Sequence, residues 1–379
     1  MNLIPTLTCT LCLTHNCTLR CRYCYAGRKW QHSMSFETAR LGMDLAIAEA
    51  QRMEGAVDLS FFGGEPLLEW DLLRRCYDYM QEHAPADPAP VRYGLTTNMT
   101  LLTADKLEWL AERDFMLGLS IDGSPAMHDL NRRFASGRGS HGAILPALEW
   151  VNAHPELRCE VICVVSPSNV HLLAEGVAWL HENFRGRVGL NLDYWSEWTD
   201  EQFATLEEQY GQVMQLALAS YREGKKLLNL SNFDDKVLSH LRTEEDDCAH
   251  CHVGEREIAV SVDGNIFPCS RLGGQGDDPA ITFGDVRRGI DRARQNYLIA
   301  TRGNRTPACK LCTLSRRCMN TCGCTNHAAS GRWDQVSPFL CQSEQLLIRA
   351  ADAVAEALYA ERNPAFIERF YGSRENAAE

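Results

Sequence analysis

Three cysteines, Cys17, Cys21 and Cys24, form a C-x3-C-x2-C run. Three thiolates on one short loop can converge on a single centre. Cysteine thiolates are the normal ligands of a [4Fe–4S] cube, and three of them leave one iron open. Such a site can bind a substrate as well as store an electron. A partial zinc site is the rival reading. A closed structural zinc site takes four ligands, and the nearest spare thiols are Cys9 and Cys12.

A second set lies in the C-terminal third. Cys309, Cys312, Cys318 and Cys322 follow in C-x2-C-x5-C-x3-C spacing, with Cys341 after a gap. Upstream stand Cys248, Cys251 and Cys269, and Asp263-Gly264 is a turn signal that would fold them together through a hairpin. Eight cysteines make two sets of four, and zinc ribbons share the same CxxC pairs. Cys324 is a spare that competes with Cys322. Cys9, Cys12, Cys76, Cys159 and Cys163 read as small core residues.

Other chemistry-bearing residues sit where strands should end. Gly63-Gly64-Glu65-Pro66 follows an apolar run. Glycines there let the backbone approach a ligand closely, and Glu65 can accept from an ammonium group. Ser120 and Asp122, with Arg132 downstream, offer a hydroxyl, a carboxylate and a guanidinium for ribose hydroxyls and a carboxylate. Asp193 could take a proton. Tyr194, Trp195 and Trp198 beside it read equally as a grip on a peptide or as packing against the C-terminal region.

The elements that must position these residues follow from periodicity. Strand-like segments at 8–14, 57–62, 91–96, 116–122, 159–165 and 188–192 alternate with helical patterns. Ser35 reads as the N-cap of a helix burying Ala39, Met43, Ala46 and Ala50, with Phe36 on the same side, and Thr103 precedes Leu107 and Leu110 in the same way. Six strands alternating with helices imply a parallel sheet with right-handed crossovers, closing wholly or partly into a barrel with chemistry at the strand C-terminal ends. The expected fold is α/β: a partial (β/α)6 TIM-like barrel over 1–199, a helical bridge over 200–247, a cysteine-rich domain over 248–345, and a C-terminal helix and tail over 346–379. The cysteine-rich stretch is too poor in apolar residues to fold without metal. The tail after Tyr371 reads as frayed.

The 379 residues contain 45% apolar residues and carry a formal net charge of −12. The apolar content excludes a disordered chain, and the sign argues against a nucleic-acid partner. No apolar run is long enough to span a membrane. With no export signal at the start, the 17 cysteines point to a reducing, cytoplasmic setting and to metal rather than disulfides.

Taken together, Cys17/Cys21/Cys24, Gly63-Gly64-Glu65-Pro66, Ser120 and Arg132 resemble the radical S-adenosylmethionine superfamily over roughly residues 7–195. The region from Cys248 to Cys341 resembles the SPASM domain, which in its full form holds two auxiliary [4Fe–4S] clusters. The resemblance implies three [4Fe–4S] clusters and S-adenosylmethionine as cofactors. Cys17, Cys21 and Cys24 would ligate the first cluster. Tyr23 would lie beside the adenine, and Gly63, Gly64 and Glu65 would meet the methionine amino group. Ser120 and Arg132 would contact ribose and carboxylate, and Leu192 adenosine, with Asn98 and Asp122 as further cofactor contacts. The first auxiliary cluster would take Cys248, Cys251, Cys269 and Cys322, and the second Cys309, Cys312, Cys318 and Cys341. Cys251 follows Cys248 more closely than in the sulfatase-maturating branch.

The resemblance further implies a 5′-deoxyadenosyl radical that abstracts hydrogen from a ribosomally made peptide, with oxidation through the auxiliary clusters to a cross-link or another oxidised residue. An external low-potential electron donor of flavodoxin or ferredoxin type would supply the electron. Few residues precede Cys17, so the expectation is that no leader-recognition domain lies there, and that the leader peptide is bound by the barrel–bridge surface or by a separate protein. The alternative is an anaerobic sulfatase-maturating enzyme, which forms formylglycine. That branch carries an acidic residue after the cysteine matching Cys269, where this chain has Ser270. A third reading, a non-catalytic electron-transfer or zinc protein, leaves the GGEP, Ser120 and Arg132 combination unexplained.

Overall fold

The computed structural model describes residues 4–27, 29–241, 252–273, 280–302 and 306–375. Cys248 and Cys251 lie outside them. Six strands form where alternation places them: β1 (Thr6–Thr14), β2 (Ala56–Gly63), β3 (Arg92–Thr97), β4 (Met116–Ser120), β5 (Cys159–Val165) and β6 (Arg187–Leu192). Between them run α1 (Phe36–Arg52), α2 (Trp70–His83), α3 (Ala104–Ala111), α4 (Pro125–Asn131), α5 (His141–Ala153) and α6 (Leu173–Asn183). The Ser35 side chain caps α1 by accepting from the Thr38 N–H, and Ala39, Met43, Ala46 and Ala50 are buried as expected. Phe36 is only half-buried, under the Arg75 guanidinium at 4.0 Å.

The chain divides into two compact units. The first comprises residues 1–120, 132–160 and 252–304. Here β1 pairs in parallel with β2, β2 with β3, and β3 with β4. On its other edge β1 pairs in parallel with β7 (Glu257–Val260), which joins β8 (Asn265–Phe267) as an antiparallel hairpin around the Asp263-Gly264 turn. Short strands β9 (Gly284–Asp285) and β10 (Gly289–Ile290) extend that edge, followed by α9 (Arg292–Arg302). The turn behaves as its sequence predicts, with Gly264 at φ +95°. The sequence did not show that the hairpin would join the parallel sheet. Gly42 lets α1 settle on this junction: a Cβ there would stand 3.2 Å from Leu11 and 3.3 Å from Val260.

The second unit comprises residues 121–131, 161–251 and 305–379. It contains α7 (Asp200–Glu223), α8 (Ser231–Leu241), α10 (Pro307–Leu311), α11 (Gly323–Ser330), α12 (Pro338–Ala360) and α13 (Pro364–Glu375). Thr199 and Gln202 form a capping box on α7, and Gly224 ends it in the left-handed conformation. The terminal helix begins at Pro338, well before the expected 346, because Ser337 caps it by accepting from the Leu340 N–H. Just beyond Tyr371 the chain continues as helix, and the rest of the expected tail, residues 376–379, lies outside the described residues. Asn363 accepts from the Phe366 N–H and starts α13, which runs to Glu375.

The fourth strand stops at Ser120, short of the expected 122. The Asp122 carboxylate accepts the Val164 N–H at 3.0 Å, and Gly123 turns with φ +103°. A Cβ on Gly123 would lie 2.5 Å from Gly176 Cα in α6, so only glycine fits.

Candidate functional site

The cysteine triad sits on the loop after β1, and three attachments within the first unit fix that loop. First, the glycines at the end of β2 press against it. Gly64 N–H donates to Thr14 O at 2.7 Å and Glu65 N–H to Asn16 O at 2.9 Å. A Cβ on Gly64 would lie 2.0 Å from Asn16 O, and one on Gly63 2.5 Å from Thr14 O. The close approach these glycines permit is to the chain's own backbone, one residue before Cys17. Second, Arg20 N–H donates to Arg133 O at 2.7 Å, and Leu19 bridges to Phe134. Third, the Arg132 guanidinium lies 5.4 Å from the Tyr23 ring centroid. The segment at Arg132 and Arg133 is therefore a brace for the loop.

Glu65 is fully buried. One carboxylate oxygen accepts from Leu67 N–H at 3.1 Å and Thr97 Oγ1 at 2.8 Å, and the other accepts from Asn98 N–H at 2.8 Å. A carboxylate offers about four lone-pair sites, so three are committed inside the protein. Burial pushes its pKa up to about 6 against the lowering effect of those donors. Glu65 thereby ties the end of β2 to the end of β3. Asn98 carries the link onward. Its Nδ2 donates to Thr18 Oγ1 at 3.1 Å and lies 3.5 Å from Cys17 Sγ, while Thr100 N–H and Oγ1 hold its Oδ1. Thr97 was not singled out in the sequence. Its position directly before Asn98 at a strand end was the available signal.

Cys17 Sγ also accepts from the Leu19 N–H at 3.4 Å. Burial raises the Cys17 pKa, opposed by that N–H. Cys24 N–H donates to Cys21 O at 3.3 Å, which folds the run into a tight turn. All three cysteines are partly exposed, as a ligand-accepting loop requires. By contrast, Cys9, Cys12 and Cys76 are buried, with pKa pushed to about 12 by desolvation, so they stay thiols at neutral pH. Cys163 is buried and Cys159 half-buried. Ser120 ends β4 and is buried.

Within the second unit, Leu192 ends β6 and Asp193 follows it, both buried. The Asp193 carboxylate accepts from Trp195 N–H at 3.1 Å and Ser196 Oγ at 2.5 Å, and its backbone carbonyl accepts from Trp198 Nε1 at 2.8 Å. It organises its own turn. Trp198 stacks on Phe339 of α12 at 4.7 Å and Tyr194 packs on the same ring at 5.6 Å, so the packing reading describes both.

The C-terminal cysteines separate clearly. Cys309, Cys312, Cys318 and Cys341 line one cavity of about 180 Å³. A single water needs about 10–15 Å³ on such a measure, so the space suits a group of several atoms. Four thiols converging on it fit an iron–sulfur cluster, whose ligands attach to separate irons. Among the described residues, no three His, Cys, Asp or Glu side chains close to the spacing of one metal ion. Cys341 lies in the first turn of α12. Burial, with Glu344 next, pushes the Cys318 pKa to about 12, so a metal must displace its proton. Cys318 is held by a buried ion pair absent from the sequence reading. Lys236 Nζ lies 2.8 Å from Glu344 Oε2 with side chains 13% and 5% exposed, and the same oxygen accepts from Met319 N–H at 2.7 Å. Opposite charges on the inner faces of two amphipathic helices were the missed signal. Of the other proposed set, Cys269 belongs to the first unit and Cys322 to the second. Cys322 Sγ lies 3.6 Å from Cys324 Sγ, so the spare thiol is its immediate neighbour.

Residues 11–169 match the family model for the radical SAM superfamily. An uncharacterized protein of Methanocaldococcus jannaschii is 29% identical over 168 residues, 44% of this chain and 56% of that protein. A serine-type anaerobic sulfatase-maturating enzyme of Klebsiella aerogenes is 30% identical over 141 residues, 36% of this chain and 35% of the enzyme. These alignments therefore cover about half or less of the relatives' lengths. The structure of anSMEcpe with bound AdoMet and peptide superposes with a TM-score of 0.75 at 18% identity, covering 94% of this chain and 99% of that one. Streptococcus suis SuiB bound to its precursor peptide SuiA superposes at 0.62 and 17% identity, covering 90% and 76%. Those likenesses show a shared fold. The cysteine loop of residues 17–24 lies inside the region that matches the radical SAM family model.

Proposed function

We propose that this protein modifies a ribosomally made peptide or another protein by radical S-adenosylmethionine chemistry. The observation that carries the reading is the pairing of a three-cysteine loop inside the matched domain with four thiols around one cavity in the second unit. When bound, the first cluster and S-adenosylmethionine supply a 5′-deoxyadenosyl radical able to abstract hydrogen. In this reading Cys17, Cys21 and Cys24 hold that cluster. Glu65 fixes the strand ends around it, and one remaining acceptor site is available to an ammonium group. Gly63 and Gly64 set the loop, and Arg132 orients Tyr23. Ser120, Asn98, Asp122 and Leu192 complete the cofactor contacts, and Asp193 shapes the turn after β6.

The quartet Cys309, Cys312, Cys318 and Cys341 holds a second cluster. A third cluster on Cys248, Cys251, Cys269 and Cys322 completes the set. The barrel spans 1–199, the bridge 200–247 and the SPASM region 248–345 in this reading. A flavodoxin- or ferredoxin-type donor and a leader-binding surface or protein are its partners. No helix among the described residues is long and apolar enough to cross a membrane.

A second reading is anaerobic sulfatase maturation, favoured by relatives such as the Klebsiella enzyme. Ser270 stands where that branch has an acid, yet the Ser270 N–H points to Glu257 Oε1 at 3.3 Å. A carboxylate is thus present beside that position, supplied by β7.

Anaerobic reconstitution should give about twelve irons per chain, from three cubes of four. Four or fewer would remove the auxiliary clusters. Incubation of the reduced enzyme with S-adenosylmethionine and either a co-encoded precursor peptide or a sulfatase peptide separates the two readings by which one changes mass.

A further inference from the structure

The cavity of the thiol quartet has another polar liner, Gln345. It lies one helical turn beyond Cys341 on α12, and Arg349 lies one turn beyond it. Residues spaced by four share a helix face, and their side chains lean toward the N-terminus. The three accordingly form a chain of contacts. Arg349 Nη2 donates to Gln345 Oε1 at 2.8 Å, and Gln345 Nε2 donates to Cys341 Sγ at 3.3 Å. Shape alone would let the amide turn either way. Chemistry decides it. A guanidinium only donates, so it claims the amide oxygen and leaves the NH2 group facing the sulfur. The amide nitrogen of Asn320, another liner, donates to Ser315 O at 2.8 Å.

We propose that Gln345, oriented by Arg349, is a positioning residue that raises the reduction potential of the iron–sulfur centre held by Cys309, Cys312, Cys318 and Cys341. This rests on the reading that the quartet binds such a centre. Reduction adds one electron, and the added negative charge spreads onto the sulfurs. An N–H aimed at a ligating sulfur stabilises the reduced form more than the oxidised one, and hydrogen bonds to sulfur are among the levers that set cluster potentials. Arg349 strengthens the effect by polarising the amide it holds. Its exposed charge stays in solvent, so the amide, not the cation, delivers the interaction to the cavity.

The test is an EPR-monitored dithionite titration of the full-length reconstituted protein. The quartet's signal is identified as the one absent from Cys318→Ala. Gln345→Met keeps the length and removes the donor, and Arg349→Met leaves the cavity untouched. Gln345→Met should keep its iron and lower that centre's potential by an equilibrium shift of about tenfold, or about 59 mV for one electron. Arg349→Met should shift it the same way by less, with the other centres unmoved. An unchanged potential in loaded Gln345→Met overturns the inference. If Gln345→Met fails to load iron, Arg349→Met decides: a lowered potential sustains the inference and an unchanged one overturns it. If Cys318→Ala retains every signal and all its iron, the quartet reading falls and this inference with it. A quartet signal present but unshifted overturns only the inference.

Discussion

The two thiol sites solve the problem of holding sulfur in opposite ways. The triad sits on one short loop, and backbone contacts hold it: Gly64 and Glu65 N–H groups on residues 14–16, and the Arg20 N–H on Arg133. The quartet draws its sulfurs from α10, the following loop and α12, and a buried ion pair anchors it. A three-thiol loop leaves room for a fourth ligand from outside. A four-thiol cavity is closed and suits electron storage. Backbone bonds fix a loop by excluding side chains, whereas the ion pair fixes it by charge, so the two sites should fail differently.

The sharpest break is functional. Cys21→Ala should abolish 5′-deoxyadenosine release, while Cys318→Ala should retain it and lose only iron and peptide product. Chromatography of the nucleoside checks both. If both variants still cleave the cofactor, the contrast between open and closed sites is wrong.

Next comes the ion pair. Glu344→Ala leaves Lys236 buried without its partner and Met319 N–H without its acceptor. Breaking a buried pair this way costs about 3–5 kcal/mol, read as a lower denaturant midpoint. Gly64→Ala should follow. Its Cβ meets a backbone oxygen that cannot rotate away, so the cost lies at the top of the usual range of about 1–3 kcal/mol for overpacking. Iron analysis should show the triad's cluster lost and the quartet's kept.

Glu65→Gln replaces one of two accepting oxygens by a donor facing committed N–H or O–H groups. About 1–3 kcal/mol is expected, measured by thermal or urea unfolding.

The smallest effect sits at the rim of the first unit. Glu49 of α1 is buried, but its partners Arg292 and Arg52 are 44% and 57% exposed. Burial alone would raise the Glu49 pKa, yet the arginine hydrogen bonds outweigh it and the net shift is downward. A lowered folded pKa gives stability that is present above the unfolded value of about 4.3. That stability is lost as pH falls through the folded value. Glu49→Gln should therefore cost under about 1 kcal/mol at pH 7, and the deficit should vanish as pH falls through the lowered folded value of the carboxyl. A deficit independent of pH would assign the effect to packing.

The sequence by itself determined the six strands, the α1 cap at Ser35, the Asp263-Gly264 turn and the two groups of cysteines. Those features are local: side-chain period, a capping hydroxyl and spacing along the chain are all written within a few residues. Tertiary structure alone decided that β7 joins β1, that Glu65 spends three of its acceptor sites on residues up to 98, and that Cys341 meets Cys309 across one cavity. It also decided that Asp193 caps its own turn and that Lys236 finds Glu344. A buried carboxylate or ammonium group must find partners wherever the packed chain brings them. Its role is therefore set by neighbours distant in sequence, which spacing and composition do not encode.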